Sequence, residues 1–283
     1  MNKFLSVLLL ILVSCSTGNL TVIADLPKTL KEVSGTETLI DSDLIWVHND
    51  SGNSPKIYGL NQKGTIIKEL NIDSKNKDWE DLTSDKNGNL YIGDFGNNEN
   101  KRKKLSILKI KKEDLQSDSL VPIERISFYY PNQKQFPPKK KQQYFDSEAF
   151  FHFNDSLYIF TKSRVKGDYG ATSIYKIPAI PGNHAAILID RFKTCDDSRC
   201  WITSADISND GKKVVLLTPN VVWLFTDFKA DHFFKGNVTP FPLDISSQKE
   251  GICFKNNTTL YISDERSHNR GGNLYEFKLE TED

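Results

Sequence analysis

The sequence predicts an all-β chain folded as a β-propeller of five four-stranded blades, and three observations support this. Helical periodicity is almost absent, and runs of about four to eight β-branched and aromatic residues alternate with Gly, Asn, Asp and Pro clusters. One phrase recurs, as "WEDLTSDKNGNLYIGDFGNN" from Trp79, "SEAFFHFNDSLYIFTKS" from Ser147 and "KEGICFKNNTTLYISDER" from Lys249. Each copy sets a glutamate ahead of an apolar stretch, turns through Asn, Asp or Gly, and resumes with Leu-Tyr-Ile. Weaker copies start at Lys31 and Ser204, so the anchors fall at Glu32, Glu80, Glu148, Ala205 and Glu250. A long repeat holding four strands per unit is the pattern of propeller blades.

The elements follow in order between the anchors. The first unit reads "KEVSGTE", "DLIWVHN", "KIYGLN", "TIIKELNI", and the second "EDLTSD", "NLYIGDF", "LSILKIK", "RISFYYP". The third reads "EAFFHF", "SLYIFTK", "TSIYKIP", "AAILIDRF", and the fourth "ADISND", "KVVLLTP", "VVWLFTDF", "VTPFPLD". The fifth offers only "EGICFK", "TLYISDE" and "NLYEFKLE". Its missing strand is expected from "LTVIADLP" near the N-terminus, which would close the ring and remove an exposed edge. A sixth blade would require one of the longer spacers to serve as a further unit. An open β-sandwich is the rival architecture, but it gives no reason for the repeat.

In such a ring the first strand of each blade lines the axis, and its start shares a face with the end of the antiparallel second strand. The acid column is therefore expected at one mouth of the channel. There it would meet His48-Asn49-Asp50, Asp94, Lys162 and Asp264-Glu265-Arg266. Like charges so close raise one another's pKa unless cations neutralise them, and Lys162 and Arg266 are the expected partners.

The N-terminus, "MNKFLSVLLLILVSC", has a basic start at Lys3 and an apolar run from Phe4 to Val13, too short to span a membrane as a mature helix. Leu12-Val13-Ser14-Cys15 resembles the lipobox of bacterial lipoproteins, which implies lipidation at Cys15 and removal of residues before it. The rival is an ordinary signal peptide with a chance cysteine. Residues 16–283 are then expected as a single propeller domain, lipid-anchored to an outer membrane on its periplasmic face. Ser16 after the cysteine favours the outer membrane, and the absence of acids from "STGNL" favours the periplasmic side.

Thirty-seven basic residues balance thirty-seven acidic ones among 283. That balance argues against nucleic acid as the main partner, which normally demands a basic excess or face. Lys139-Lys140-Lys141 reads as a solvated loop. Cys195 and Cys200 bracket "DDSR" and are expected to form a disulfide; a metal pair would need two more soft ligands. Cys253 reads as a buried strand thiol.

Trp79-Glu80-Asp81-Leu82, "IGDFGNN" with Arg102, Tyr130-Pro131, Ser147-Glu148-Ala149 with Thr161-Lys162, and "TSADISNDG" together resemble a family of uncharacterised bacterial β-propeller lipoproteins near the SdiA-regulated and phytase-like-esterase groups. The resemblance spans most of residues 30–270. It implies a propeller, often described in relatives as six-bladed, and implies no particular reaction. This chain departs from the pattern at Ala205, where the acid column breaks, and at "RVKGDYG" over 164–170.

The sharpest site expectation is Ca²⁺ held by Glu80, Asp94, Asn97, Glu148, Glu250 and Asp264, because calcium takes six to eight oxygens. The competing expectation is a structural network in which these acids cap strands and pair with Lys162, Arg102 and Arg266. "NDSGN" at 49–53 and "GDFGNNEN" at 93–100 lack the EF-hand pattern and read as turns. Ser163 and Ser263 would need a base, for which His48 and His268 are the candidates. Three function classes follow. One is a module binding a small polar ligand or cation, with Glu32, Asn49, Asp50, Arg102, Lys162 and Arg266 as ligand contacts. The second is a metal-assisted hydrolase of lactones or phosphoesters using Glu80, Glu148 and Lys162. The third is a scaffold that captures protein partners at its rim. The fold alone does not choose among them.

Overall fold

The computed structural model describes residues 19–268 and 270–279. Cys15 and the proposed signal segment lie outside them. The described residues form five sheets arranged as a ring, antiparallel except for one pairing, with short 3₁₀ turns as their only helical elements. Among the described residues no helix is long and apolar enough to cross a membrane.

Strand β1 (Thr21–Asp25) precedes the first blade, which is β2 (Val33–Thr38), β3 (Ile45–Asn49), β4 (Lys56–Leu60) and β5 (Ile66–Asn71). Blade 2 is β6 (Trp79–Ser84), β7 (Leu90–Asp94), β8 (Leu105–Ile110) and β9 (Glu124–Tyr129). Blade 3 is β10 (Asp146–Phe153), β11 (Ser156–Lys162), β12 (Ala171–Pro178) and β14 (Ile187–Lys193), with β13 (Gly182–Ala185) between the last two in sequence. Blade 4 is β15 (Ser204–Ile207), β16 (Val214–Leu217), β17 (Val221–Thr226) and β18 (Asn237–Pro242). Blade 5 is β19 (Lys249–Asn256), β20 (Thr259–Asp264) and β21 (Asn273–Lys278), completed by β1 against β21. The ring is thus closed by the N-terminal strand, as the missing fourth strand of the last unit predicts.

One strand departs from the sequence expectation. β13 leaves its own blade and pairs in parallel with β9, giving blade 2 a fifth strand. The segment covers an edge that would otherwise present free N–H and C=O groups, and it laces two blades together.

The long apolar runs have a simple cause. The inner strands of each blade are buried on both faces, and alternate side chains enter alternate gaps between blades. Trp46 packs toward blade 2 and its neighbour Val47 toward blade 5; Phe150 packs toward blade 2 and Phe151 toward blade 4. Five apolar clusters result among the described residues, one in each gap, and edge-to-face aromatic pairs such as Phe95–Phe150 at 5.2 Å fill the second–third gap. Around the axis the five inner strands touch in sequence, and β19 meets β2. They approach so closely that a Cβ on Gly35 would sit 2.6 Å from the Leu82 nitrogen and 2.7 Å from His48 Nε2. Small hydroxyl side chains tie the strands to one another: Ser204 Oγ donates to Asp81 Oδ1 at 3.0 Å, and Thr203 Oγ1 to the Lys249 carbonyl at 2.6 Å.

Candidate functional site

The acid column acquires its geometry from strand irregularities. Pairing of β10 with β11 shifts between Ser147 and Ala149, leaving Glu148 unpaired, and pairing of β19 with β20 shifts between Lys249 and Gly251, leaving Glu250 unpaired. In blade 2 the shift between Trp79 and Leu82 passes over Glu80 and Asp81. Such bulges re-aim side chains that a regular ladder would turn into the gaps. β15 pairs with β16 without a shift, and its residue at the equivalent place is Ala205. The column breaks where the bulge is missing.

Carboxylate oxygens of Asp50, Asp78 and Glu80 all lie within 4.8 Å of one another. Asp78 immediately precedes β6 and Glu80 is its second residue, and Asp50 follows β3 of blade 1. A Cβ on Gly96 would collide with the carboxylates of both Asp78 and Glu80, so the "GDFG" turn is the wall against which they stand. Beside them, Lys162 Nζ lies 3.1 Å from Glu148 Oε1, while Arg164 bonds Asp146 Oδ2 at 2.6 Å and Glu148 Oε1 at 3.2 Å. Arg164 also donates to Asn98. Trp201 lies against both cations, 5.2 Å from Lys162 Nζ and 4.9 Å from the Arg164 guanidinium carbon, and its Nε1 donates to the Ser163 carbonyl at 2.7 Å. The Cys195–Cys200 disulfide, Cα–Cα 5.7 Å, closes the loop just before Trp201.

Seven carboxyl groups form one electrostatic neighbourhood here: Asp50, Asp78, Glu80, Asp146, Glu148, Glu250 and Glu265. Lys162 and Arg164 stand among them, and Arg102 at the flank of Asp78. Negative charge is in excess, and burial and that excess hold the acids' pKa values up. Burial first, then Glu148, Asp50 and Asp78, push Glu80 well above the usual carboxylate range. Burial with Glu148 raises Asp146 to about 7, and burial, Glu148, Glu265 and Asp50 raise Glu250 to about 8 against the lowering pull of Lys162. Glu265 reaches about 7 and Asp78 about 6, again from burial and neighbouring acids. Burial alone would weaken Lys162 as a base, but Glu148 and Glu250 outweigh it and raise its pKa.

The expected site residues separate into two groups. Asp50, Glu80, Glu148, Lys162 and Glu250 meet at this mouth. Glu32 stands at its edge, accepting from Asn53 Nδ2 at 2.6 Å and pairing with Lys31. The others take their partners elsewhere. Asp94 is held by Arg102 at 2.9 Å, and Arg102 also donates to the Gly96 carbonyl at 2.6 Å, bracing the turn that backs Glu80. Asn97 accepts from the Arg102 backbone and donates to the Phe145 carbonyl. Asp264 accepts from the Asn273 backbone and the Tyr275 hydroxyl. Arg266 binds Asp25 and the Leu26 and Gly272 carbonyls, fastening β1 to the ring. Asn49 donates to the Thr29 carbonyl at 2.8 Å. Four contributors escaped the sequence reading: Asp78, Asp146, Arg164 and Trp201. The first two carried a signal, since "DWE" at 78–80 and "DSE" at 146–148 repeat an acid two residues before the glutamate.

No protein-family model matches the sequence, and no curated protein matches it either. Solved structures resemble it in shape. A gluconolactonase from Xanthomonas campestris aligns with TM-score 0.51 and 11% identity over 92% of this chain and 89% of that one. A streptogramin B lyase aligns at TM-score 0.46 and 13% identity over 89% and 84%, and virginiamycin B lyase from Staphylococcus aureus at 0.43 and 15% over 90% and 69%. At these identities the likeness establishes the architecture alone: the chain is a β-propeller.

Proposed function

We propose that the acidic mouth binds a hard divalent cation of the calcium type and, through it, a small polar ligand. The observation that carries this reading is the convergence of Asp50, Asp78 and Glu80 within 4.8 Å in a setting where negative charge exceeds positive. The donor set fits such an ion: it is all oxygen, becomes anionic as the ion displaces its protons, and has no soft ligand. Three carboxylates leave coordination places for water and for ligand oxygens. Lys162 and Arg164, steadied by Trp201, supply positive charge for an anionic part of the same ligand.

Calorimetric titration of chelator-stripped protein with CaCl₂ tests the reading. One saturable site is expected, and Glu80→Gln should weaken it at least about tenfold, roughly 1.4 kcal/mol. Absence of calcium binding, or equal affinity in the variant, would remove the cation from the account. A second reading, metal-assisted hydrolysis of a lactone or phosphoester, has one observation in its favour. Glu250, at about 8, keeps its proton at neutral pH beside Lys162, the condition for a general acid. The resemblance in fold to a gluconolactonase suits it. Turnover abolished by Glu80→Gln with the fold intact would favour it over pure binding, and capture of a partner untouched by that change would favour the rim.

The lipobox-like Leu12-Val13-Ser14-Cys15 supports, as a further part of this proposal, a tether of the domain to a bacterial outer membrane through Cys15. Metabolic labelling with a fatty acid should mark the full chain and fail to mark Cys15→Ser; equal labelling of both would refute the anchor.

A further inference from the structure

The opposite end of the axis holds a cavity of about 460 Å³ to which all five blades contribute. Its floor is a pair of acids at the ends of two inner strands, Glu37 of blade 1 and Asp206 of blade 4, which are 4% and 6% exposed. Glu37 Oε1 accepts from the Thr38 backbone at 2.7 Å; Asp206 accepts from the Phe254 and Ile207 backbones, each at 2.7 Å. Among the described residues neither carboxylate forms an ion pair. The walls are mixed: Phe153, Phe254, and the stacked rings of Tyr91 and His152, 5.5 Å apart and 21° from parallel, form an aromatic part, and polar and charged side chains such as Asp85 and Asp155 form the rest.

We propose that this second mouth binds a small organic ammonium compound, its cationic nitrogen between Glu37 and Asp206 and its apolar body against the aromatic walls. The volume is that of a small-molecule site and far exceeds a bare ion. A metal ion fits poorly, because backbone N–H groups already occupy one oxygen of Glu37 and both of Asp206, and a bare ion would leave the aromatic part of the wall and most of the volume unfilled. An ammonium ion needs few oxygens, takes additional stabilisation from aromatic faces, and carries carbon to cover apolar surface. The site is independent of the cation proposed at the other end.

Binding should also expel protons. Burial and Asp206 hold Glu37 well above its ordinary range, and burial raises Asp206 to about 7. The groups facing the pair from neighbouring elements are Asp81 and Cys253 below, and Asp85, Asp155, His152, Lys86 and Lys109 around the rim. Burial lowers the pKa of His152, so it stays neutral near pH 7 and does not compete for the pair.

The test is calorimetric titration of the whole protein with 2-phenylethylamine, putrescine and choline, and with phenylacetate as the charge-reversed control. At least one ammonium compound should saturate a single site with affinity rising between about pH 6 and about pH 8, with net proton release, and phenylacetate should not bind. Asp206→Asn and Glu37→Gln, each checked for a cooperative melt, should weaken binding about tenfold or more, whereas Glu80→Gln should leave it unchanged. No saturable binding by any of the three compounds, equal binding of phenylacetate, or no rise with pH in the unaltered protein would overturn the proposal. The last two comparisons need no variant to fold.

Discussion

Glu80 shows what burial does to a repeated acid. Alone in water its carboxyl would be ionised at neutral pH; among Glu148, Asp50 and Asp78, in a site shielded from solvent, the charged form is disfavoured. The sign for stability follows. Glu250 at about 8, and Asp146 and Glu265 at about 7, bind protons in the folded state that the unfolded chain has already lost. The folded state is therefore strengthened as pH falls through this window and weakened as it rises. His48 acts in the opposite direction at lower pH. Burial lowers it to about 4, so the unfolded chain takes up its proton first below about 6.5, and stability is lost there. Lys249, lowered to about 8 by burial and only partly restored by Asp264, adds stability as pH rises above 8. The acid effect is cleanest between the two, from about pH 6.5 to 8.

At the level of elements, the bulge and the closing strand matter most. A glutamate in a regular inner strand would face a neighbouring blade; the register shifts at Glu80, Glu148 and Glu250 turn it to the axis. β1 is largely exposed, yet it completes blade 5, and Arg266 is its principal side-chain tether, bonding the Leu26 carbonyl at 2.9 Å and the Gly272 carbonyl at 3.2 Å. Arg266→Ala should lower unfolding free energy by about 1–3 kcal/mol, read as an earlier urea midpoint with an unchanged slope. An unchanged midpoint would mean that β1 is held without it. The repeat made the blades, the ring closure and the glutamates legible, because periodic burial leaves a periodic sequence. It did not reveal that β13 crosses to blade 2, since "GNHA" carries no strand alternation of its own. Arg164 and Trp201 were hidden for a related reason: they lie on connections outside the repeat, and only the ring brings them beside Lys162. Asp94 and Asp264 resembled Glu80 in the linear pattern, but Asp94 pairs through Oδ1 with Arg102 and Asp264 accepts from Asn273 and Tyr275, each within its own blade.

For the molecule as a whole, net charge near zero conceals a strong local imbalance. Five blades each send an inner strand to one axis, and three of them deliver glutamates to the same end. The ring concentrates there the negative charge that a single sheet would spread. Two outcomes are open to such a mouth: protons occupy it, or a cation does. The melting temperature of chelator-treated and calcium-saturated protein, measured at about pH 6.5 and about pH 8, separates them. Without calcium the protein should melt lower at the higher pH. With calcium at about a hundred times its dissociation constant the higher-pH melt should rise by roughly 5–10 °C, and the loss on going to pH 8 should vanish or reverse. A melting temperature indifferent to calcium at both pH values would contradict a cation site in the ring of acids.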